Sequence, residues 1–380
     1  MFLKTVMERN QPLVRLGIEW QQNGVILPDT YLLDYDTILE NARSIKQAGD
    51  ANGVQNFFML KQIGRNPLIA RALTDMGYVG AVCVDFREAL TMVENQIPLG
   101  NVGHLVQIPR AALKKILRAK PVIVTVYTLE KAREISAVCT ELGLHQKLML
   151  RVLGEGDMLY SGQYGGFELQ ELDSAVRAIE AMPNVEVGGV CSFPCFLYDE
   201  AAQDILPMPN LRTVQTAAEM LRARGYRDLM LNTPSATCTH SIPMIAAAGG
   251  THGEPGHGLT GTTPYHAGHP DAEERPGYLY VSEVSHNLGD KAYCYGGGHY
   301  RRGHMKNALV GTTPENAKVV PVLPPDDSSI DYHFELQQNC PVSAAAVMAF
   351  RTQFFVTRSR GAVVKGLSSG KPELAGLYSA

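Results

Sequence analysis

Residues 56–61, Asn-Phe-Phe-Met-Leu-Lys, form an apolar run that ends in a cation, Lys61. Desolvation among such neighbours lowers an amine's pKa and leaves a neutral, nucleophilic fraction, which Schiff-base chemistry with a carbonyl requires. The plainer alternative is a lysine whose ammonium snorkels past apolar side chains to water. A second concentration of chemistry is Gly253-Glu254-Pro255-Gly256-His257-Gly258. Glycines there let backbone N–H groups approach an anion, and successive amides at a turn form an anion-binding nest. Asn232-Thr233-Pro234-Ser235-Ala236-Thr237 adds amide and hydroxyl groups suited to phosphate oxygens. Arg151 closes a further apolar run, where an arginine meets either a structural ion-pair partner or a substrate carboxylate; the latter is the expectation here.

Groups able to move protons recur in Ser285-His286-Asn287 and in Tyr293-Cys294-Tyr295-Gly296-Gly297-Gly298-His299-Tyr300-Arg301. His286, Cys294 and Tyr295 are the candidates for an acid or base, with His299 close in sequence; a glycine-rich turn with structural tyrosines is the alternative. His252, His257, His266 and His269 raise the question of a metal, but their spacings match no helical His-x-x-x-His pair and no ordered carboxylate set accompanies them. No metal site is expected.

Apolar, β-branched runs alternate with helical patterns up to about residue 258, the pattern of βαβ units and a parallel sheet. The predicted strands are 31–34, 56–61, 79–85, 102–106, 122–127, 148–152, 185–192 and 229–232. Eight such units suit a closed (β/α)8 barrel, whose catalytic groups lie at the carboxyl ends of its strands. Residues 3–22 read as one amphipathic helix. The segment 249–270 is crowded with Gly, Pro, Thr and His, and short alternating runs follow it, as in a small β domain. The expected organisation is a helical extension over 1–28, a barrel over 29–270 and a C-terminal β domain over 271–380.

Formal net charge is −4 with no basic run, so neither nucleic acid nor an anionic membrane is an expected partner. No stretch has the length and apolarity of a membrane span or a signal peptide. The seven cysteines are scattered, without a Cys-x-x-Cys pair, which points to a reducing, cytoplasmic setting.

With Met59-Leu60-Lys61, the pattern Gly77-Tyr78-Val79-Gly80-Ala81 with Arg87-Glu88-Ala89, and Glu254-Pro255-Gly256-His257, residues 29–300 resemble the alanine racemase and ornithine decarboxylase barrel class, fold type III of the enzymes that use pyridoxal 5'-phosphate (PLP). More narrowly the chain resembles the YhfX-like branch. The resemblance implies that Lys61 carries PLP and acts as one base, that Glu254 faces the pyridine nitrogen, and that Gly256, His257, Asn232 and Ser235 hold the phosphate. Phe193 falls where the class has a ring-stacking histidine, and Glu254 where racemases have arginine. The implied protein is an amino-acid racemase or epimerase, acting as a homodimer with shared active sites. The second base would come from the partner's β domain. A lyase or decarboxylase is the alternative that Glu254 favours, because a carboxylate keeps the ring nitrogen protonated. A non-catalytic PLP-binding protein is the third reading, disfavoured by the additional C-terminal domain.

Overall fold

The structure is a computed structural model and describes residues 2–379. The chain divides into two compact units. One, Arg43–Leu60 with Pro67–Gly256, is the α/β barrel; the other takes the chain through Ala42, Lys61–Asn66 and everything from His257 onward.

The barrel strands Ala81–Cys83, Leu99–Val102, Ile123–Val126, Gln146–Leu153, Val185–Cys191, Met230–Asn232 and His252–Gly253 run parallel in chain order. Closure depends on one extended segment that has neighbours on both sides. Gln55 and Asn56 pair with His252 and Gly253, while Phe58 and Met59 pair with Ala81 and Val82. Between them the Phe57 N–H donates to the Gly253 carbonyl at 3.0 Å. Counted as one strand, that segment completes a ring of eight with no free edge, the device that makes a parallel sheet self-sufficient. Apart from Lys147 and Glu186, exposed near the starts of their strands, the barrel strands are mostly buried, which selects apolar residues on both faces.

The outer helices are amphipathic and locally punctuated. In Arg110–Arg118, Ala112, Leu113, Ile116 and Leu117 turn inward. Asp85 and Thr128 each cap a helix by accepting from the backbone N–H three residues on, and Gly143, at φ 64°, ends Leu129–Leu142 in the left-handed conformation.

The membership of the predicted ring of strands is corrected at its first and last positions. The strand read at 31–34 as the first of the barrel is Thr30–Asp34 of the other unit, between Tyr278–Leu288 (antiparallel) and Arg360–Lys365 (parallel). Both of its faces are buried, so its residue pattern is the same in either setting. The eighth barrel strand is His252–Gly253, too short and too poor in β-branched residues to read as one.

The second unit is a mostly antiparallel sheet ordered Lys291–Tyr295, His333–Leu336, Lys318–Leu323, Asn307–Gly311, Ala345–Met348, Tyr278–Leu288, Thr30–Asp34, Arg360–Lys365 and Glu373–Ser379. Helices Leu3–Arg9 and Gln11–Gln22 cover it, burying Val6, Leu13, Val14 and Ile18 with Leu279, Val281, Val347 and Ala362. The single helix predicted over 3–22 is broken at Asn10. Its side chain accepts from the Leu13 N–H at 3.4 Å and donates to Asp34 at 2.8 Å.

Asp29 ties this unit's loops together. It accepts hydrogen bonds from Tyr280 at 2.9 Å and Ser359 at 2.5 Å. Gly297 passes so close that a Cβ there would lie 2.0 Å from the Asp29 carboxylate. Burial lifts the Asp29 carboxyl to about 6, against the hydrogen bonds from Ser359 and Tyr280 that pull it down. A carboxyl raised above its unfolded value of about 4 gives stability that is present in acid and is lost as pH rises through the folded value. Urea denaturation is therefore expected to show the parent losing about 2 kcal/mol more than Asp29→Asn between about pH 4 and pH 7. Parallel stability curves would contradict this.

Candidate active site

Glu254 follows the closing barrel strand, and its carboxylate is completely buried. Oε1 accepts two amide hydrogen bonds, from Asn101 Nδ2 at 3.2 Å and Asn232 Nδ2 at 2.6 Å. Asn101 is itself oriented, its Oδ1 accepting from Thr125 Oγ1 at 2.7 Å. Oε2 makes no hydrogen bond, and His104 Nε2 lies 3.6 Å from it. The Glu254 backbone N–H donates to Thr237 Oγ1 at 3.1 Å, which holds the main chain as well as the side chain. A buried carboxylate oxygen with no donor is costly unless a ligand supplies one.

Arg151 is the second unsatisfied ion. Its guanidinium is fully buried, donates from Nη1 to Tyr127 Oη at 3.0 Å, and sits 4.9 Å over the Tyr127 ring. Nε and Nη2 have no acceptor. Its register partner on the next strand is Cys191, whose thiol burial pushes up to about 12, so it stays neutral. Phe193 packs edge-on to His104 and tilted on Tyr160, both at 5.6 Å between ring centroids. In the predicted phosphate segment Ser235 spends its hydroxyl on the Phe196 carbonyl at 2.7 Å, whereas the buried Thr233 hydroxyl makes no hydrogen bond.

In the other unit, Lys61 is half-buried in the turn after its strand, and its carbonyl accepts from the Phe355 N–H at 3.1 Å. His257 Nε2 accepts from Arg351 Nε at 3.0 Å. A guanidinium N–H only donates, so the His257 proton is on Nδ1, which has no partner. Burial, then the Arg351 and Lys61 cations, hold His257 well below the usual histidine range. The remaining histidines of this stretch have separate tasks. His252 stacks on Phe57, His266 bridges Thr263 and Glu274, and His269 stacks on Tyr265. Among the described residues no three His, Cys, Asp or Glu side chains converge as metal ligands.

Strand pleating separates the proposed second bases. Cys294 pairs with Phe334 on the buried face, and burial pushes its thiol up to about 12. Tyr295 pairs with His333 on the exposed face, where His286 stacks on Tyr293 at 5.0 Å and meets His333 edge-on at 5.3 Å. Cys294 therefore does not share a face with His286 and Tyr295. The glycines 296–298 pass close to Asp331, Asp29 and Tyr280, which accounts for their small size within this unit.

Asn101, Thr125, His104 and Arg351 were not singled out from sequence. The strand predicted at 102–106 is in fact Leu99–Val102, and that boundary error hid a polar residue inside a buried strand, the signal that would have flagged Asn101.

Residues 33–264 match the family model described as the alanine racemase N-terminal domain, and residues 279–374 the model described as the YhfX-like C-terminal domain. The chain belongs to the alanine racemase family. It is 43% identical over 380 residues to the uncharacterized protein YhfX of Escherichia coli (strain K12), covering 100% of this chain and 98% of that one. Similar solved structures include D-threonine aldolase from Filomicrobium marinum (TM-score 0.66, 16% identity, 92% of this chain and 94% of that one). Alanine racemase of Clostridium difficile 630 matches at TM-score 0.66 and 14% identity, over 93% of this chain and 98% of that one. D-threo-3-hydroxyaspartate dehydratase from Delftia sp. HT23 matches at 0.64 and 14%, over 92% and 96%. The barrel with its separate antiparallel domain is the fold of the alanine racemase family, and the cofactor of that family is PLP.

The donor set is compatible with that group: a buried carboxylate oxygen without a hydrogen bond could accept from a ring N–H, and the Arg151 donors could meet a carboxylate of an amino acid bound with it. A buried guanidinium with unfilled donors costs desolvation, which an apolar side chain of similar length does not incur. Arg151→Met is accordingly expected to melt no lower than the parent without ligand, yet to gain less than the parent when a panel of amino acids is added to the PLP-loaded protein. A markedly lower melting temperature of the ligand-free variant would contradict the assignment.

Proposed function

We propose that this member of the alanine racemase family is a PLP-dependent enzyme acting at the α-carbon of an amino acid, with racemisation or epimerisation as its reaction. The observation that carries the PLP-dependent reading, common to racemisation and its alternative, is Glu254, a buried carboxylate with two amides on Oε1 and none on Oε2; racemisation is put first on the strength of the family match. When bound, PLP supplies an electron-accepting ring that stabilises negative charge at the α-carbon.

The chain's residues then divide the work as follows. Lys61 would attach the cofactor and move a proton at Nζ. Glu254 Oε2 would accept from the ring N–H. Asn232 holds Glu254 from one side; Phe193 is assigned to the face of the ring. The Thr233 and Ser235 segment, with Gly256 and His257, is assigned to the phosphate. Arg151 presents Nε and Nη2 to a carboxylate of the substrate. The second acid or base is sought in the exposed set of His286 and Tyr295, with Tyr293 and His333 beside them, delivered from a second copy of the chain. Cys294, neutral and buried, is the weaker candidate. A cytoplasmic location agrees with the seven free cysteines. No helix among the described residues is long and apolar enough to cross a membrane.

A second reading, a PLP-dependent lyase or decarboxylase, is favoured by one specific feature. A carboxylate placed to meet the ring nitrogen would strengthen the ring as an electron acceptor, the chemistry that bond cleavage beyond proton exchange needs. An aldolase and a dehydratase stand among the solved structures of this fold.

Borohydride reduction of the PLP-loaded protein followed by peptide mapping is expected to find the adduct on Lys61, and Lys61→Ala is expected to lose the bound-cofactor absorbance band. An adduct on another lysine would contradict the assignment. With the loaded enzyme, chiral chromatography over a panel of D- and L-amino acids is expected to detect interconversion. Release of carbon dioxide, ammonia or an aldehyde without interconversion would select the second reading.

A further inference from the structure

We infer that Thr125 and Asn101 are positioning residues that fix which oxygen of Glu254 is left for a ligand. The inference rests on the PLP reading above and goes beyond it by assigning two residues that never touch the cofactor. Three barrel strands contribute: Asn101 from Leu99–Val102, Thr125 from Ile123–Val126, and Asn232 from the end of Met230–Asn232.

An asparagine amide has two faces of opposite character, and a half-turn about its last bond exchanges donor for acceptor. Thr125 Oγ1 donates to Asn101 Oδ1 at 2.7 Å, which commits the other face, Nδ2, to donate to Glu254. With the half-turn reversed, Oδ1 would face a buried carboxylate oxygen and repel it. Asn232 Nδ2 reaches the same oxygen at 2.6 Å, so both amides converge on Oε1. Two hydrogen bonds converging on one oxygen hold the carboxylate against rotation. Oε2 is consequently the oxygen presented without a protein hydrogen bond. Asn101 and Thr125 are themselves buried, so water cannot replace either bond without repacking.

Thr125 acts at two removes from a ring nitrogen, and a merely structural role would leave the state of that nitrogen unchanged. The deciding measurement uses PLP labelled with 15N in the ring, bound to the full-length protein. Its NMR shift reads protonation, and its fluorescence-detected affinity reads binding. Parent, Thr125→Val, Thr125→Ser, Asn101→Ala and Glu254→Gln are compared, each with a far-ultraviolet dichroism spectrum as a check of folding. Thr125→Val keeps the shape of the side chain and removes only the donor.

The expected result is a protonated nitrogen in the parent and in Thr125→Ser. In Thr125→Val and Asn101→Ala the shift moves toward the unprotonated value and affinity for PLP falls about ten-fold. Folded Thr125→Val and Asn101→Ala proteins with parental shift and affinity would overturn the inference while leaving the role of Glu254 intact. A parental shift in Glu254→Gln would overturn the assignment of Glu254 to the ring nitrogen, and this inference with it, whereas a parent protein that binds no PLP would overturn the PLP reading itself.

Discussion

One buried negative charge sets the terms for the barrel interior. Glu254 has no exposed side-chain surface, and an isolated carboxylate in such a setting is among the most expensive groups a protein can hold. The barrel offsets that cost with amides rather than with a strong cation. Two asparagines, drawn from strands far apart in sequence, meet on a single oxygen. Satisfying Oε1 and leaving Oε2 without a hydrogen bond, with only His104 at 3.6 Å, is an arrangement half finished by the protein, as expected of a group held ready for a bound N–H.

Closure of the sheet makes this convergence possible. Asn101, Thr125, Asn232 and Glu254 each sit at or near the end of a different strand, and only a ring brings such positions to one level. The extended segment from Gln55 to Met59 is the hinge of that closure, pairing on both sides. Met59 also donates its N–H to the Pro255 carbonyl at 2.9 Å, which aligns the strand leading to Lys61 with the segment carrying Glu254. In the other unit the pleat performs a comparable selection. It sends Cys294 into the core and leaves His286, Tyr293, Tyr295 and His333 together on an open face.

Much of this was legible in the sequence, and the misses have physical causes. The barrel class was readable because repeated apolar runs separated by amphipathic helices have few other folds. Lys61 and Glu254 stood out because charged residues beside apolar or glycine-rich runs demand a reason. The strand at Thr30–Asp34 was misassigned because a doubly buried strand has the same composition in a barrel and in a central sheet position. His252–Gly253 was missed because its pairing is imposed by neighbours, not by its own propensity. Asn101 and Thr125 were invisible for a different reason. Their importance lies in which atoms they face, and no spacing rule connects residues 101, 125, 232 and 254. Arg351 likewise fixes the tautomer of His257 from ninety-four positions away.

The account stands or falls on whether the bare oxygen of Glu254 is there for a ring nitrogen. Comparing the dissociation constant of PLP with that of its 1-deaza analogue, in which a C–H replaces the ring nitrogen, tests this most directly. Both compounds keep the aldehyde and the phosphate, so they differ only in what they offer to Oε2. The account predicts that PLP binds at least about ten-fold more tightly and that Glu254→Gln narrows the difference. Equal affinity of the parent protein for the two compounds would contradict it.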